Sequence, residues 1–197
     1  MNITDICNLA LSYIGKGTIS DINADKENAR ACKRHYDHRR RQLLRDFSWG
    51  FATAATKLAL LQSHFPGWDY VYAYPAKCLA VRSIYNAYGE AVKEWESDKY
   101  KIIMVSEDVK AICCNIPEAY MDYTYDNNQT EIYTPDFIEA LARGLAADMS
   151  MALTGSESIA QSQMQYMQYA LQKAMLSSAT ERRPPEKYPT KYLDARV

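Results

Sequence analysis

The sequence predicts a mixed α+β protein, in which an antiparallel β insertion splits a four-helix bundle and an extended C-terminal tail follows. Three observations carry this prediction. Apolar residues recur at helical spacing before residue 66, short strand-like segments separated by turn residues fill the middle, and helical spacing returns at residue 134. The predicted divisions are 1–65 and 134–180 for the two halves of the bundle, 66–133 for the insertion and 181–197 for the tail.

The first two helices are predicted over residues 4–14 and about 26–47. We expect Thr4 to cap the first helix and Asp25 to cap the second. The second helix carries an apolar stripe that spans about 60° of its circumference. This stripe consists of Ala29, Cys32, Tyr36, Leu43 and Phe47.

Arginines mark two faces of the second helix. Arg40 falls inside the apolar stripe, so we expect it to need an acidic partner, either within the bundle or across a subunit contact. A second stripe, about 130° around the helix, consists of Arg30, Arg34, Arg41 and Arg45. Four arginines on one helical face could bind the phosphates of DNA. The alternative is a face that is solvated or forms salt bridges.

The insertion is predicted to contain six short strands, arranged as an antiparallel meander or a small sandwich. The predicted strands are 70–74, 79–84, 92–95, 101–105, 109–114 and 120–125. Ten of the 16 tyrosines lie between residues 66 and 133. Tyrosine favours half-buried strand surfaces and is also enriched at protein interfaces, so both interpretations stay open.

Two further helices are predicted, from Thr134 and from about Ser158 to Ser177. Thr134 is expected to be an N-cap, followed by a first-turn proline and an aspartate that complements the helix dipole. The buried face of the third helix is predicted to be Phe137, Ile138, Leu141, Leu145, Met149 and Ala152. The tail holds three prolines and five basic residues, which is typical of a segment that is extended or disordered until something binds it.

Composition and charge narrow the function classes. No run approaches 18 apolar residues, so we expect no membrane span, and the first residues lack the pattern of a signal peptide. The five cysteines are an odd number without metal spacing, which favours synthesis in a reducing cytoplasm. Residues 1–65 carry ten Lys and Arg against six Asp and Glu, whereas residues 66–133 carry six against eleven. This division suits head-to-tail contacts between copies of the chain.

The sequence contains no catalytic motif that we can identify, so we expect no enzyme, metal site or cofactor. Cys32, His35 and His38 spread over about 120° of the second helix and have no evident fourth ligand. Acidic side chains are frequent late in the chain, at Glu118, Asp122, Asp126, Glu131, Asp136 and Glu139. Two of these carboxylates across a cleft could act as a glycan hydrolase, so this function stays possible. The simpler interpretation is an acidic face in contact with solvent.

Eleven short blocks of the sequence form an ordered series. The N-terminal blocks are 5–11, 14–15, 29–32, 36–37, 43–44 and 48–52, and the later ones are 74–81, 133–137, 140–142, 145–147 and 153–155. In their residues and their order, these blocks resemble the tail tubular protein A family. The resemblance covers about residues 3–180, and residues 85–130 contain no matching block. Members of this family are head–tail adaptors of short-tailed and related tailed bacteriophages.

The resemblance implies a structural protein of the virion, located at the head–tail junction after assembly in the host cytoplasm. Such adaptors form a ring, usually of twelve copies, between the portal protein and the distal tail tube or nozzle. The ring continues the DNA channel, helps to retain the genome and passes double-stranded DNA at ejection without sequence specificity. The arginine stripe is then expected to meet acidic protein surface rather than DNA, which must slide. A DNA-binding packaging or regulatory factor is the main alternative.

In such adaptors a C-terminal extension commonly reaches the portal. The resemblance therefore implies that residues 181–197 dock on the portal protein. The residues expected to make this contact are Arg182, Arg183, Lys187, Tyr188, Lys191 and Tyr192. Five basic side chains in the tail suit an acidic groove, and the two tyrosines are four residues apart and suit aromatic anchors.

Overall fold

The structure is a computed structural model that describes residues 1–89 and 100–181. Over these residues the fold is mixed α+β, with four α-helices and two three-stranded antiparallel sheets. The helices are α1 (Ile3–Tyr13), α2 (Glu27–Asp46), α3 (Pro135–Thr154) and α4 (Glu157–Glu181). The strands are β1 (Thr53–Lys57), β2 (Tyr70–Ala73), β3 (Cys78–Tyr85), β4 (Lys101–Ser106), β5 (Val109–Cys114) and β6 (Tyr120–Tyr125).

The N-cap of helix α1 lies two residues earlier in the chain than predicted. Asn2 is the N-cap, and its side chain accepts a hydrogen bond from the backbone N–H of Asp5 at 2.8 Å. The Asp5 carboxylate accepts the N–H of Asn2 in return, at 2.9 Å. This reciprocal pair satisfies two backbone donors that the helix leaves free. The prediction of Thr4 as the cap is therefore wrong, and Thr4 lies inside the first turn.

Helix α2 begins without a side-chain cap. Lys26 occupies the N-cap position, and the Asp25 carboxylate lies 2.7 Å from the Arg30 guanidinium instead. The prediction of Asp25 as the cap is therefore wrong, because its carboxylate turns to the arginine one turn ahead. The predicted apolar stripe is confirmed, since its members are buried except for Phe47, which is half-buried.

Helix α3 is central among the helices, because it contacts α1, α2 and α4. Thr134 precedes it as expected, although its side chain makes no capping hydrogen bond, and Pro135 takes the first position. The predicted buried face is confirmed up to Met149, whereas Ala152 is exposed. Residues from all four helices join one apolar core.

The strands form two separate sheets, with orders β1-β6-β3 and β2-β5-β4. Residues of both sheets, including Tyr72, Ile112, Ile84 and Met121, share a second apolar core. The two sheets therefore face each other as a small sandwich, and the alternative of a meander is wrong. A third, smaller cluster around Cys113 lies on the opposite face of β5 from Cys114.

The first β-strand lies earlier in the chain than the sequence predicts. Strand β1 lies within residues 1–65 and pairs with β6, for example Ala55 with Asp122. Five of the six predicted strands correspond to β2 through β6. The predicted strand 92–95 lies outside the described residues.

Candidate interaction surfaces

The joint between the helices and the sheets is an aromatic cluster. The Trp49 ring lies 5.1 Å from the Phe137 ring and 6.0 Å from the Phe51 ring, measured between centroids. The indole N–H of Trp49 donates to the Leu43 carbonyl at 2.8 Å, so its buried polar atom is satisfied. Two of the sequence blocks that carry the family resemblance, 48–52 and 133–137, therefore meet at this joint.

Arg40 lies buried beside this joint, with 4% of its surface exposed. Its Nη1 atom lies 2.7 Å from Asp126 Oδ1 and donates to the Asn127 carbonyl at 2.6 Å. Burial alone would lower the pKa of Arg40, but Asp126 and Tyr133 together raise it above its ordinary value, so the side chain stays charged. The structure thus supplies an acidic partner for Arg40 in the same chain, at Asp126, and a contact of Arg40 across a subunit boundary stays a prediction.

The second arginine stripe is partly neutralised within the chain. Arg30 pairs with Asp25, and Arg41 Nε lies 3.1 Å from Asp126 Oδ2. Arg34 and Arg45 are exposed, and neither forms an ion pair with another residue in the described ranges. The stripe therefore offers less net charge to a phosphate backbone than four free arginines would.

An open groove of about 440 Å³ runs where α2 meets the start of β3. It is lined by Asp37, His38, Arg41, Gln42, Arg45 and Leu79. Two arginines against one aspartate give it a positive balance, and Leu79 supplies an apolar wall. Such a mixture suits an acidic protein segment that also presents apolar side chains. The sequence predicted the arginines but not the groove, because Leu79 belongs to a distant strand.

Arg82 was not predicted as an important residue, and it joins the two parts of the fold. Its Nη2 atom donates to the carbonyls of Arg45 and Phe47 at 2.7 and 2.8 Å, and its Nε donates to Thr124 Oγ1 at 2.7 Å. The carbonyls at the end of a helix have no intrahelical partner, so this arginine of β3 caps α2. Nothing in a strand sequence indicates such a distant partner.

A second unpredicted contact fixes α2 against α3. Arg39 makes a bidentate ion pair with Asp148, whose Oδ2 accepts from Nε at 2.7 Å. Gly144 leaves room for the Arg39 stem, because a Cβ atom at this glycine would lie 2.9 Å from Arg39 Cδ. A glycine in the middle of a predicted helix can indicate that a neighbouring side chain packs closely against the helix backbone, so Gly144 was the one sequence signal of this contact.

A third polar cluster joins α1, α3 and α4. The Tyr13 hydroxyl donates to Glu139 at 2.6 Å, and the Arg143 guanidinium lies 3.5 Å from the centroid of the Tyr13 ring. Arg143 also donates to Glu139 at 2.9 Å and to Gln163 at 3.0 Å. Burial, followed by the hydrogen bond to Glu139, raises the pKa of Tyr13 to about 12. The neutral phenol is the form that stabilises this cluster.

The acidic residues considered for hydrolysis engage different neighbours. Asp126 pairs with Arg40 and Arg41, Asp122 accepts hydrogen bonds from Ser83 and Tyr85, and Glu118 pairs with Lys57. Asp136 pairs with Lys173 and shares a cavity of about 260 Å³ with Glu139. Glu131 is exposed. Five of these six carboxylates therefore form ion pairs or hydrogen bonds, and these contacts explain their positions without a catalytic role.

Three further observations concern metal binding, membrane spans and the predicted portal-docking residues. Within residues 1–89 and 100–181, no group of three or more His, Cys, Asp and Glu side chains is placed to hold a metal ion. No helix in these ranges is long and apolar enough to cross a membrane. The predicted portal-docking residues, from Arg182 to Tyr192, lie outside the described residues.

Comparisons with known proteins add no family to these observations. No model of a protein family matches the chain, and a search of curated proteins finds no match.

Proposed function

We propose that this chain is a head–tail adaptor of a tailed bacteriophage, a structural protein that joins the portal to the distal tail tube and continues the DNA channel. The observation that carries the proposal is the ordered series of sequence blocks that resembles the tail tubular protein A family. The order of helices, strands and helices supports it, because the family combines a helical bundle with a β-sheet domain.

The finer architecture is part of the same proposal. We infer that the four helices form one bundle that the sheets interrupt, because α3 contacts each of the other helices and one apolar core draws on all four. The joint formed by Trp49, Phe51 and Phe137 supports a fixed relation between this bundle and the sandwich. An adaptor between two rings needs such a rigid connection, since each of its ends meets a different partner.

The partners proposed are other copies of the chain, the portal protein, the distal tail tube and passing duplex DNA. Arg34 and Arg45 supply exposed positive charge for contacts between proteins. Because Arg30 and Arg41 already face acidic side chains of the same chain, the stripe is less suited to hold DNA tightly. This favours the adaptor over the DNA-binding alternative.

The test is whether the chain binds purified portal rings of its own virus. We expect the full chain to co-sediment with the rings as a larger complex and a chain lacking residues 182–197 to bind more weakly. Circular dichroism of the truncated chain controls for folding, because all residues of α4 are retained. A full chain that ignores portal rings but binds duplex DNA with strong salt dependence would favour the packaging or regulatory factor instead.

The alternative of a glycan hydrolase is tested by a separate activity assay. Release of reducing sugar that is abolished by Asp136→Asn or Glu139→Gln, with unchanged folding, would replace the adaptor by a tail-associated enzyme. Asp122→Asn serves as the matched control, since Asp122 lies on a strand of the sandwich, outside the cavity that Asp136 and Glu139 line.

A further inference from the structure

The hairpin of β4 and β5 extends beyond the strand beside it. Strand β2 pairs with β5 as far as Ala73 opposite Ala111, and the Tyr74 N–H still donates to the Lys110 carbonyl at 3.1 Å before the chain turns at Pro75. The hairpin continues past Lys110, with Met104 opposite Lys110 at its base and Ser106 opposite Val109. We call residues 104–109 the arm. Within the described residues, the backbone of 105–109 has no strand partner outside this hairpin.

The arm is apolar along its sides and acidic at its tip. Met104, Val105 and Val109 are exposed to 59%, 40% and 42%. The turn between the strands consists of Glu107 and Asp108, which are exposed and form no ion pair with a described residue. These apolar side chains lie together on the end of a hairpin that has no further strand partner among the described residues, so this surface is a candidate for contact with another molecule.

The groove at the foot of α2 has the matching chemistry. Arg45 and Arg41 complement the acidic tip, and Leu79 complements the valines beside it. Arg45 is the stronger candidate because Asp126 already occupies the Arg41 guanidinium. The arm and the groove are different surfaces of one chain, so their pairing between copies can continue from one subunit to the next.

We propose that the arm of one copy docks in the groove of a second copy, with Glu107 and Asp108 against Arg45 and the valines of the arm against Leu79. This inference rests on the proposed assembly into a ring and names the contact that would form it. The contact is between proteins, so it also assigns the exposed end of the arginine stripe to a partner other than DNA.

The test is trans-complementation by charge reversal. One variant carries Glu107→Lys and Asp108→Lys, the other carries Arg45→Glu, and self-association is measured by sedimentation from micromolar to millimolar concentration. We expect each variant alone to associate at least ~10-fold more weakly than the wild type, because like charges then face each other. An equimolar mixture should regain association, since every reversed arm finds a reversed groove and every unchanged arm finds an unchanged groove.

Lys33→Glu is the matched control, because Lys33 is an exposed cation on the same helix, does not line the groove and is not part of the arginine stripe. It should associate like the wild type. A wild type that stays monomeric throughout, a mixture that associates no better than its components, or a Lys33→Glu variant as weak as Arg45→Glu would each overturn the inference. Loss of duplex DNA binding in Arg45→Glu with unchanged self-association would assign the groove to phosphate instead.

These results are separable from the test with portal rings. Self-association requires only this chain, so failure of the mixture to associate removes the arm contact and leaves portal binding to be judged by itself. An arm contact that closes into a two-copy particle would keep the inference and contradict the proposed ring.

Discussion

The guanidinium of Arg40 lies 2.7 Å from the carboxylate of Asp126, a residue 86 positions later in the chain, and both groups sit between α2 and the end of β6. Arg40 also donates to the Asn127 carbonyl, which accepts the Tyr133 hydroxyl at 2.6 Å as well. One buried cation therefore organises the segment that leads from the sandwich back to α3.

Replacing Arg40 with alanine should lower the free energy of unfolding by ~1–3 kcal/mol, because it removes one of two donors to the Asn127 carbonyl and the buried cation that faces the Asp126 carboxylate. The loss is smaller than for an isolated buried pair, since Arg41 still contacts Asp126. Urea unfolding measures it. Arg41→Ala is the control and should cost less than ~1 kcal/mol, as its side chain is largely exposed. Equal effects of the two variants would contradict the organising role of Arg40.

Arg82→Met should loosen the end of α2. The variant removes the donors to the Arg45 and Phe47 carbonyls but keeps an apolar stem of similar length, so we expect a loss of ~1–3 kcal/mol. Hydrogen exchange should speed up in the last turn of α2. Thr124→Val removes only the contact to Nε and should cost less. If exchange in that turn is unchanged in Arg82→Met, the carbonyl contacts are not what holds the helix end.

The helices were largely predictable because their apolar stripes repeat at 3.6 residues over 11 to 25 positions. Strand β1 was missed because Ala54 and Ala55 give no strand signal in a segment of five residues. The cap at Asn2 was readable in principle, since Asp5 stands three residues later as a capping box requires. The partner of Arg39 was not readable, because nothing local relates it to Asp148, 109 residues away.

Some features of the candidate interaction surfaces were likewise predictable from the sequence, and others were not. Helical periodicity placed Arg40 in the apolar stripe and Arg45 in the second arginine stripe, and the structure has Arg40 buried and Arg45 exposed. The groove and the arm depend instead on which strands pair and where β2 ends. Strand pairing joins residues far apart in the chain, so composition and spacing gave no access to it.

Stability should fall at high pH through Tyr13. Its pKa is raised from 10.0 to about 12, so the neutral phenol stabilises the fold fully below pH 10, and this contribution is lost as the pH rises from 10 to about 12. Deprotonation would place a phenolate against the Glu139 carboxylate. Urea unfolding across this range should show a shallower decline in Tyr13→Phe than in the wild type. Tyr169→Phe, an exposed tyrosine, should decline like the wild type.

Gly144→Ala should destabilise the wild-type protein even though alanine favours helix over glycine by ~1 kcal/mol. The added Cβ would lie 2.9 Å from Arg39 Cδ, so the arginine stem must move and its bidentate contact with Asp148 is disturbed. In an Arg39→Ala background the same substitution meets no such obstacle and should stabilise by up to ~1 kcal/mol. Thermal or urea unfolding of the four proteins in this double-mutant cycle measures the change of sign. The same loss in both backgrounds would show that the Arg39 stem is not what requires glycine at this position.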